Sequence, residues 1–356
     1  MAGHDMLMAE ETLFRDDSVF NPDHMPDQFS FREAQLKELT YALRPALRGG
    51  RPSNAFLIGP PATGKTTALH VVFGELAKET NRVMTVHVNC HMHPSPYKIF
   101  SEIYKKAYGI SPPDTGIPLA KVQDDVFMRL SKEKKALVVA LDDVSYMFDS
   151  GIANDVLYMI LRAHESFPGV VTAVFAVATE DIVHKLDDRV RSIFSPVRIP
   201  FPGYSGNEIL QILRRRCDAG LYPDVMPGDL LERIASSSSD LRFGIELVKQ
   251  AAMAAEADAE RRIGERHLEK ALASMTFSGS EGDSRSKILS IIRSKGQVES
   301  GELYKAYNEG AGGRADEKQM SYTTFYRLLQ RLKAEGAVSI DPVNKARGKT
   351  SVIRAK

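Results

Sequence analysis

The stretch "LIGPPATGKTTAL", residues 57–69, decides how the whole chain is read. It fits the spacing G-x-x-x-x-G-K-[ST], with Gly59, Gly64, Lys65 and Thr66 at the defining positions. Glycines at both ends let the backbone curl tightly enough for its N–H groups to face phosphate oxygens. The helix expected to start here would add the positive end of its dipole. Gly59, Pro60, Ala62, Thr63, Gly64, Lys65, Thr66 and Thr67 are therefore the expected nucleotide cradle. Lys65 would reach the outer phosphates and the Thr66 hydroxyl would ligate Mg2+.

Some 76 residues after Lys65, an apolar run ends in two acids, "ALVVALDDV" at 136–144. Such a strand end supplies the second half of a phosphate site. Asp142 is expected to hold Mg2+ through water. Asp143 stands where many such ATPases carry Glu to polarise the attacking water. Asp is one methylene shorter, and a misplacement of about 1 Å costs on the order of 100-fold in rate. The pair predicts nucleotide binding with slow hydrolysis.

Around these motifs, runs rich in Val, Ile, Ala and Phe recur at 54–59, 82–89, 136–143, 170–179 and 197–201. They lack strict alternation, as strands buried on both faces of a parallel sheet do. Helical stretches at 65–80, 96–108 and 119–133 separate them. Strand alternating with helix predicts a doubly wound α/β layer over 1–202. "PFPGYSG" (200–206) ends the pattern, and helix follows helix over 203–278, a small helical lid. The Gly/Ser-rich stretch at 279–285 is read as a linker.

Residues 286–356 have another order: two short amphipathic helices, a third with Phe325, Leu328, Leu329 and Leu332 at helical spacing, then "AVSID" and "SVIRA" flanking the basic turn "PVNKARGKT". Helix, helix, helix, strand, wing, strand is the order of a winged helix. Residues 281–356 carry 15 Lys/Arg against 9 Asp/Glu, a net of +6, which leaves −5 for the rest of a chain whose total is +1. A basic tail on an acidic body points to a polyanion. Thr323, Thr324, Arg327 and Arg331 would face outward from the third helix. Lys345, Arg347 and Lys349 would form a cationic wing tip. The other reading of the tail is a protein-binding winged helix.

Composition agrees with a globular protein, 43% hydrophobic and 26% charged over 356 residues, enough for two or three domains. The N-terminus "MAGHDMLMAEETLF" has acids where an export signal needs a basic start. Two cysteines, Cys90 and Cys217, make no disulfide framework. The expectation is a cytoplasmic protein away from the membrane. "HVNCHMH" (87–93) gathers three histidines and a cysteine. Adjacent side chains at a strand end point to opposite faces, so no metal site is read there. The "RRR" at 214–216 is read as a solvated helix face, and Cys217 as packing.

With these motifs in hand, the body resembles AAA+ ATPases, and within them the archaeal origin-recognition initiators. "FREAQLKEL" (31–39), "RPSNAFLIGPPATGKT" (51–66), "VNCHMHPSPYKIFSEI" (88–103), "KLDDRVRSIFSPVRIPFPGYSGNEILQILRRR" (185–216) and "SSDLRFGIELVKQAAMAAEAD" (238–258) carry the likeness. It implies an AAA+ fold with helical lid and C-terminal winged helix. It implies that Arg242 is the lid's γ-phosphate sensor and that Tyr204 lies near the base. Thr179 stands where the family's first sensor is usually Asn. Arg189 or Arg191 would be the arginine finger, since Ile193 occupies the family's usual Arg position. The implied catalytic set is Asp143, Thr179 and Arg242. The family also places a DNA-contacting helix near 93–118, with Lys105 and Lys106 as candidates. The likeness implies ATP/ADP and Mg2+ as cofactors, and double-stranded origin DNA, the MCM replicative helicase and a second initiator subunit as partners. It further implies nucleoid association. Three other readings share parts of this pattern: a clamp-loader or transposition-helper ATPase, a signalling NTPase whose winged helix binds protein, and a diverged paralogue that regulates initiation.

Overall fold

The computed structural model describes residues 12–356 apart from 114–115, 279, 310–324, 326–327, 330–331, 334–336, 346–347 and 356; at 294, 309 and 355 and within 276–286 and 341–351 it describes the backbone only. The chain forms two compact units, Met1–Ile263 and Gly264–Lys356.

The first unit begins with α1 (Glu33–Leu47), β1 (Ala55–Ile58), α2 (Lys65–Glu79), β2 (Val83–Asn89), α3 (Pro96–Tyr108), α4 (Leu119–Glu133) and β3 (Ala136–Asp142). Three short helices follow, α5 (Ser145–Asp149), α6 (Ala153–Leu161) and α7 (Ala163–Ser166), then β4 (Val171–Ala178), α8 (Asp188–Phe194) and β5 (Val197–Pro200). The strands make one parallel sheet in the order β2-β3-β4-β1-β5. Every residue of β3 is buried. Leu137, Val139 and Leu141 face one helical layer, with Ile99, Phe100, Val126 and Phe127. Val138 and Ala140 face the other, with Leu69, Val72 and Phe73 of α2. This two-sided burial is why the strands lack alternation. It also leaves only the strand ends available for chemistry, and the carboxyl ends of β1, β3 and β4 meet at one edge.

The lid helices α9 (Gly206–Gly220), α10 (Gly228–Ser237) and α11 (Leu241–Ala257) complete this unit. Ser205 and Glu208 form a reciprocal capping box at the start of α9. Asp240 caps α11 by accepting from the Phe243 N–H at 2.9 Å, which sets Arg242 in the first turn.

The second unit holds α12 (Glu265–Ser278), α13 (Ser280–Lys295), β6 (Gln297–Glu299), α14 (Ser300–Glu309), β7 (Val338–Lys345) and β8 (Gly348–Ala355). Its sheet runs β6-β8-β7, antiparallel throughout. Phe325, Leu328, Leu329 and Leu332 are helical and pack with Ile288, Ile292, Leu303 and Ile353 in one core. Three differences from the sequence reading stand out. The boundary between compact units falls after Ile263, within the stretch read as lid, so α12 is grouped with the second unit. The expected linker is helical from Ser280 onward. The ladder reaches Lys345 opposite Gly348, so most of the expected wing turn is strand. β6, three residues long, is too short to carry a periodic signal.

In the sequence reading the segment before α1 belongs with the α/β layer. Residues 12–20 instead hold to the lid. Glu256 of α11 accepts from the Thr12 hydroxyl at 2.6 Å and the Leu13 N–H at 2.7 Å. Arg15 donates to the Asp218 and Ala219 carbonyls at the end of α9, where a cation meets unpaired carbonyls favourably. Phe14 bridges Leu221, and Phe20 presses on Gly220. A Cβ at Gly220 would fall 2.4 Å from the Phe20 ring and 3.0 Å from the Asp16 carbonyl. Gly220→Ala is therefore expected to cost about 1–3 kcal/mol and to open residues 12–20 to protease. Thermal melting and limited proteolysis read both effects.

Candidate nucleotide site

A cavity of about 670 Å³ lies at the carboxyl edge of the parallel sheet, roofed by α9 and α11. Its floor is the loop after β1. Gly59 packs so closely on β5 that a Cβ there would sit 2.0 Å from the Phe201 carbonyl. Gly64 caps α2 in the left-handed region, with φ of +89°, and a Cβ there would meet the Tyr204 hydroxyl at 2.8 Å and the Phe29 ring at 2.9 Å. Both glycines are thus required by close approach. The Lys65 ammonium donates to the Gly59 and Pro60 carbonyls at 2.6 Å each, and to the Thr63 hydroxyl at 3.3 Å. Burial lowers the Lys65 pKa; Asp142 and Asp143 oppose that shift and Arg242 adds to it. Arg242 and Lys65 line the same cavity, so lid and loop meet at one site. Pro61, Ala62, Thr63, Thr66 and Thr67 line the cavity.

Asp142, at the end of β3, is 5% exposed. Its Oδ2 accepts from the Thr66 hydroxyl at 2.6 Å and from His87 Nε2 at 3.0 Å. Its Oδ1 accepts from the Asp143 N–H at 3.0 Å. Burial works to raise the Asp142 pKa, but the hydrogen bonds from His87 and Thr66 prevail and hold it below the usual carboxylate value. An ionised carboxylate beside a hydroxyl is a hard oxygen set of the kind Mg2+ takes, and the cradle at the start of α2 suits phosphate; the residues fit both groups. Asp143 is exposed, with φ of +53°. Asn89 of β2 donates to its Oδ2 at 3.2 Å.

Thr179, just past β4, lines the cavity, and Tyr204 and Arg242 line it from the hinge and lid. Arg191 pairs with Asp188, Arg189 is exposed, and Ile193 packs against the apolar core. Several functional positions lie in stretches quoted above, but their partners are not set by motif spacing. Arg32, 3% exposed, donates to the Thr63 carbonyl at 2.9 Å and the Pro202 carbonyl at 2.7 Å. Its guanidinium lies 3.7 Å from the Tyr204 ring centroid. His87 belongs to the site through Asp142. Arg216 corrects the reading of "RRR" as a solvated face: it lines the cavity and donates to the Val19 carbonyl at 2.5 Å. Its place on the inward side of α9 follows from Leu213 and Cys217 being buried beside it. Burial pushes the Cys217 thiol up to about 12, as suits packing.

Of the expected DNA-facing residues, Thr323, Thr324, Arg327, Arg331 and Arg347 lie outside the described residues, and Lys345 and Lys349 are described by backbone alone, flanking the β7–β8 turn. Lys105 and Lys106 lie in the last turn of α3, both exposed. Among the described residues no helix is long and apolar enough to cross a membrane.

The fold and cavity define an AAA ATPase: residues 28–173 match the AAA ATPase domain and residues 210–273 the Cdc6 AAA+ ATPase-type lid domain. The relative named ORC1-type DNA replication protein 2 of Methanothermobacter thermautotrophicus is 41% identical over 92% of this chain and 88% of its own. Its namesake in Methanosarcina mazei is 39% identical over 100% and 96%. The Aeropyrum pernix ORC1 protein, solved in complex with DNA, superposes with a TM-score of 0.75 at 26% identity, over 97% of this chain and 94% of that one. The chain belongs to the ORC1-type DNA replication protein family.

Arg32 ties the phosphate loop to the hinge at Pro202. Arg32→Ala would leave three carbonyls, those of Phe31, Thr63 and Pro202, without their donors and is expected to cost about 2–4 kcal/mol. Arg32→Lys should recover little, because an ammonium lacks the two-pronged fork. Calorimetric melting checks this, and full stability in the Lys variant would count against it.

Proposed function

We propose that the chain is an ATP-dependent replication initiator that binds duplex origin DNA and helps load the MCM replicative helicase, with ATP and ADP as a slow conformational switch. The observation that carries this reading is the meeting of Lys65, Asp142 and Arg242, from loop, sheet and lid, at one cavity. Thr66 and Asp142 would hold Mg2+, which when bound shields phosphate charge. Lys65 and the N-terminus of α2 would hold the outer phosphates. Arg242 would meet the terminal phosphate and draw the lid down, and Tyr204 would stand near the base. Thr179 would orient water with its hydroxyl, and Asp143, short and already engaged by Asn89, would polarise that water weakly. The nucleotide is then a latch more than a fuel. The relative solved in complex with DNA supports a nucleic-acid role for this chain. Thr323, Thr324, Arg327 and Arg331 would read the major groove, while Lys345, Arg347 and Lys349 would grip phosphate. A second initiator subunit would complete the arrangement on the origin, in the cytoplasm at the nucleoid.

Lys65→Ala is expected to weaken ATP binding by about 10–100-fold in calorimetry, the loss of a charge-assisted contact. Duplex DNA affinity should fall steeply with salt, and changing Arg347 and Lys349 together to alanine should flatten the log–log slope by about 2. Chromatin immunoprecipitation should give a sharp peak at a replication origin. Scattered promoter signal would favour a regulator of initiation, and salt-independent binding would favour a protein partner.

A further inference from the structure

Asp142 has more hydrogen-bond donors on it than holding Mg2+ requires. A carboxylate offers roughly four lone-pair sites. Among the described residues, Thr66 and His87 occupy both sites on Oδ2, and the Asp143 N–H takes one on Oδ1. One site on Oδ1 is left. We propose that His87 is a positioning residue: it fixes the Asp142 carboxylate so that this remaining lone pair, together with the Thr66 hydroxyl, faces the divalent cation of the bound nucleotide. The inference rests on Asp142 and Thr66 being the residues that hold that cation.

The placement of His87 follows from strand register. His87 pairs with Ala140, so Asp142 lies two residues further along the neighbouring strand, on the same face of the sheet. Ala140 has no side chain that could compete for the carboxylate. The ring of His70, on α2, packs against that of His87 with centroids 4.8 Å apart and planes tilted by 53°, which restrains the imidazole. Because an ionised carboxylate only accepts, Nε2 of His87 carries the proton it donates. The pair also straddles the cavity edge: the His87 side chain is 23% exposed and that of Asp142 7%. Without His87, the carboxylate keeps a single side-chain donor, Thr66. It is then free to turn about its last torsion, a broad and soft one for Asp. Partners that orient a metal's ligands typically govern its affinity by about 10–100-fold.

The test separates metal affinity from nucleotide affinity. ATP binding to the full chain, stripped of nucleotide, is followed by calorimetry in EDTA and across a Mg2+ titration. His87→Ala should raise the Mg2+ concentration at half-effect by about 10–100-fold and leave ATP affinity in EDTA unchanged. His87→Gln, whose amide N–H reaches the position of Nε2, should restore the wild-type midpoint; it also serves where the Ala variant fails to fold. An unchanged Mg2+ midpoint in His87→Ala, a parallel loss with and without Mg2+, or no recovery in the Gln variant would each overturn the inference. Asp142→Asn distinguishes the two levels. If it leaves the Mg2+ midpoint unmoved, the assignment of the cation to Asp142 itself fails. If it moves the midpoint and His87→Ala does not, only the role of His87 fails.

Discussion

One buried carboxylate organises this molecule's chemistry. Asp142 ends a strand that is buried along its whole length, and a charge in that position costs several kcal/mol unless it is met by donors. The donors come from three elements: Thr66 from the helix after the phosphate loop, His87 from the neighbouring strand, and the next peptide N–H. Satisfying Asp142 therefore fixes α2 against β3 and β2 against β3 at the same point. The register of Asn89 opposite Asp142 carries that alignment to Asp143, whose carboxylate Asn89 then meets. Geometry that looks like preparation for a phosphate is also the solution to an electrostatic problem of the protein alone.

A second buried charge does the same for the lid side. Arg32 stands before α1, yet its donors reach the phosphate loop at Thr63 and the hinge at Pro202, while its face covers Tyr204. Tyr204 in turn closes over Gly64, where no side chain other than hydrogen fits. Loop, hinge and N-terminal segment are thus coupled through contacts with little slack. The segment ahead of Arg32 is bound to α9 and α11 through Glu256, Arg15 and Phe20, so a movement of the lid would carry residues 12–20 with it. The lid extends in effect to the start of the described chain.

Legibility in the sequence follows from locality. The phosphate loop and the paired acids are contiguous, and their chemistry is set by spacing, so the order of residues alone reveals them. The five strands are legible because two-sided burial writes continuous apolar runs. The contacts of Arg32, His87 and Arg216 are not, although 31–39 and 185–216 carry the family likeness, because each acts across the fold: Arg32 on Thr63, His87 on Asp142, Arg216 on Val19. A lone Arg or His carries no periodic signal that says which carbonyl or carboxylate it will meet. The stretch at 279–285 misleads for the opposite reason. Its two glycines and two serines have weak helix propensity, yet Ser280–Lys295 is helical.

The site divides by burial in a way that matches its two tasks. Thr63, Asp142 and Arg32 are nearly sealed from solvent, at 2%, 5% and 3% exposure, and every one of them bonds to another part of the protein. Asp143, Thr179 and Arg242 are exposed. The first group can hold a shape at all times because its partners never leave. The second group faces the open cavity, and Arg242 stands on the wall that belongs to the lid. A ligand that bridges Lys65 and Arg242 therefore changes the exposed set most and the buried set least. Such a division lets bound nucleotide alter the lid's position without rebuilding the sheet beneath it, which is the physical requirement for a latch.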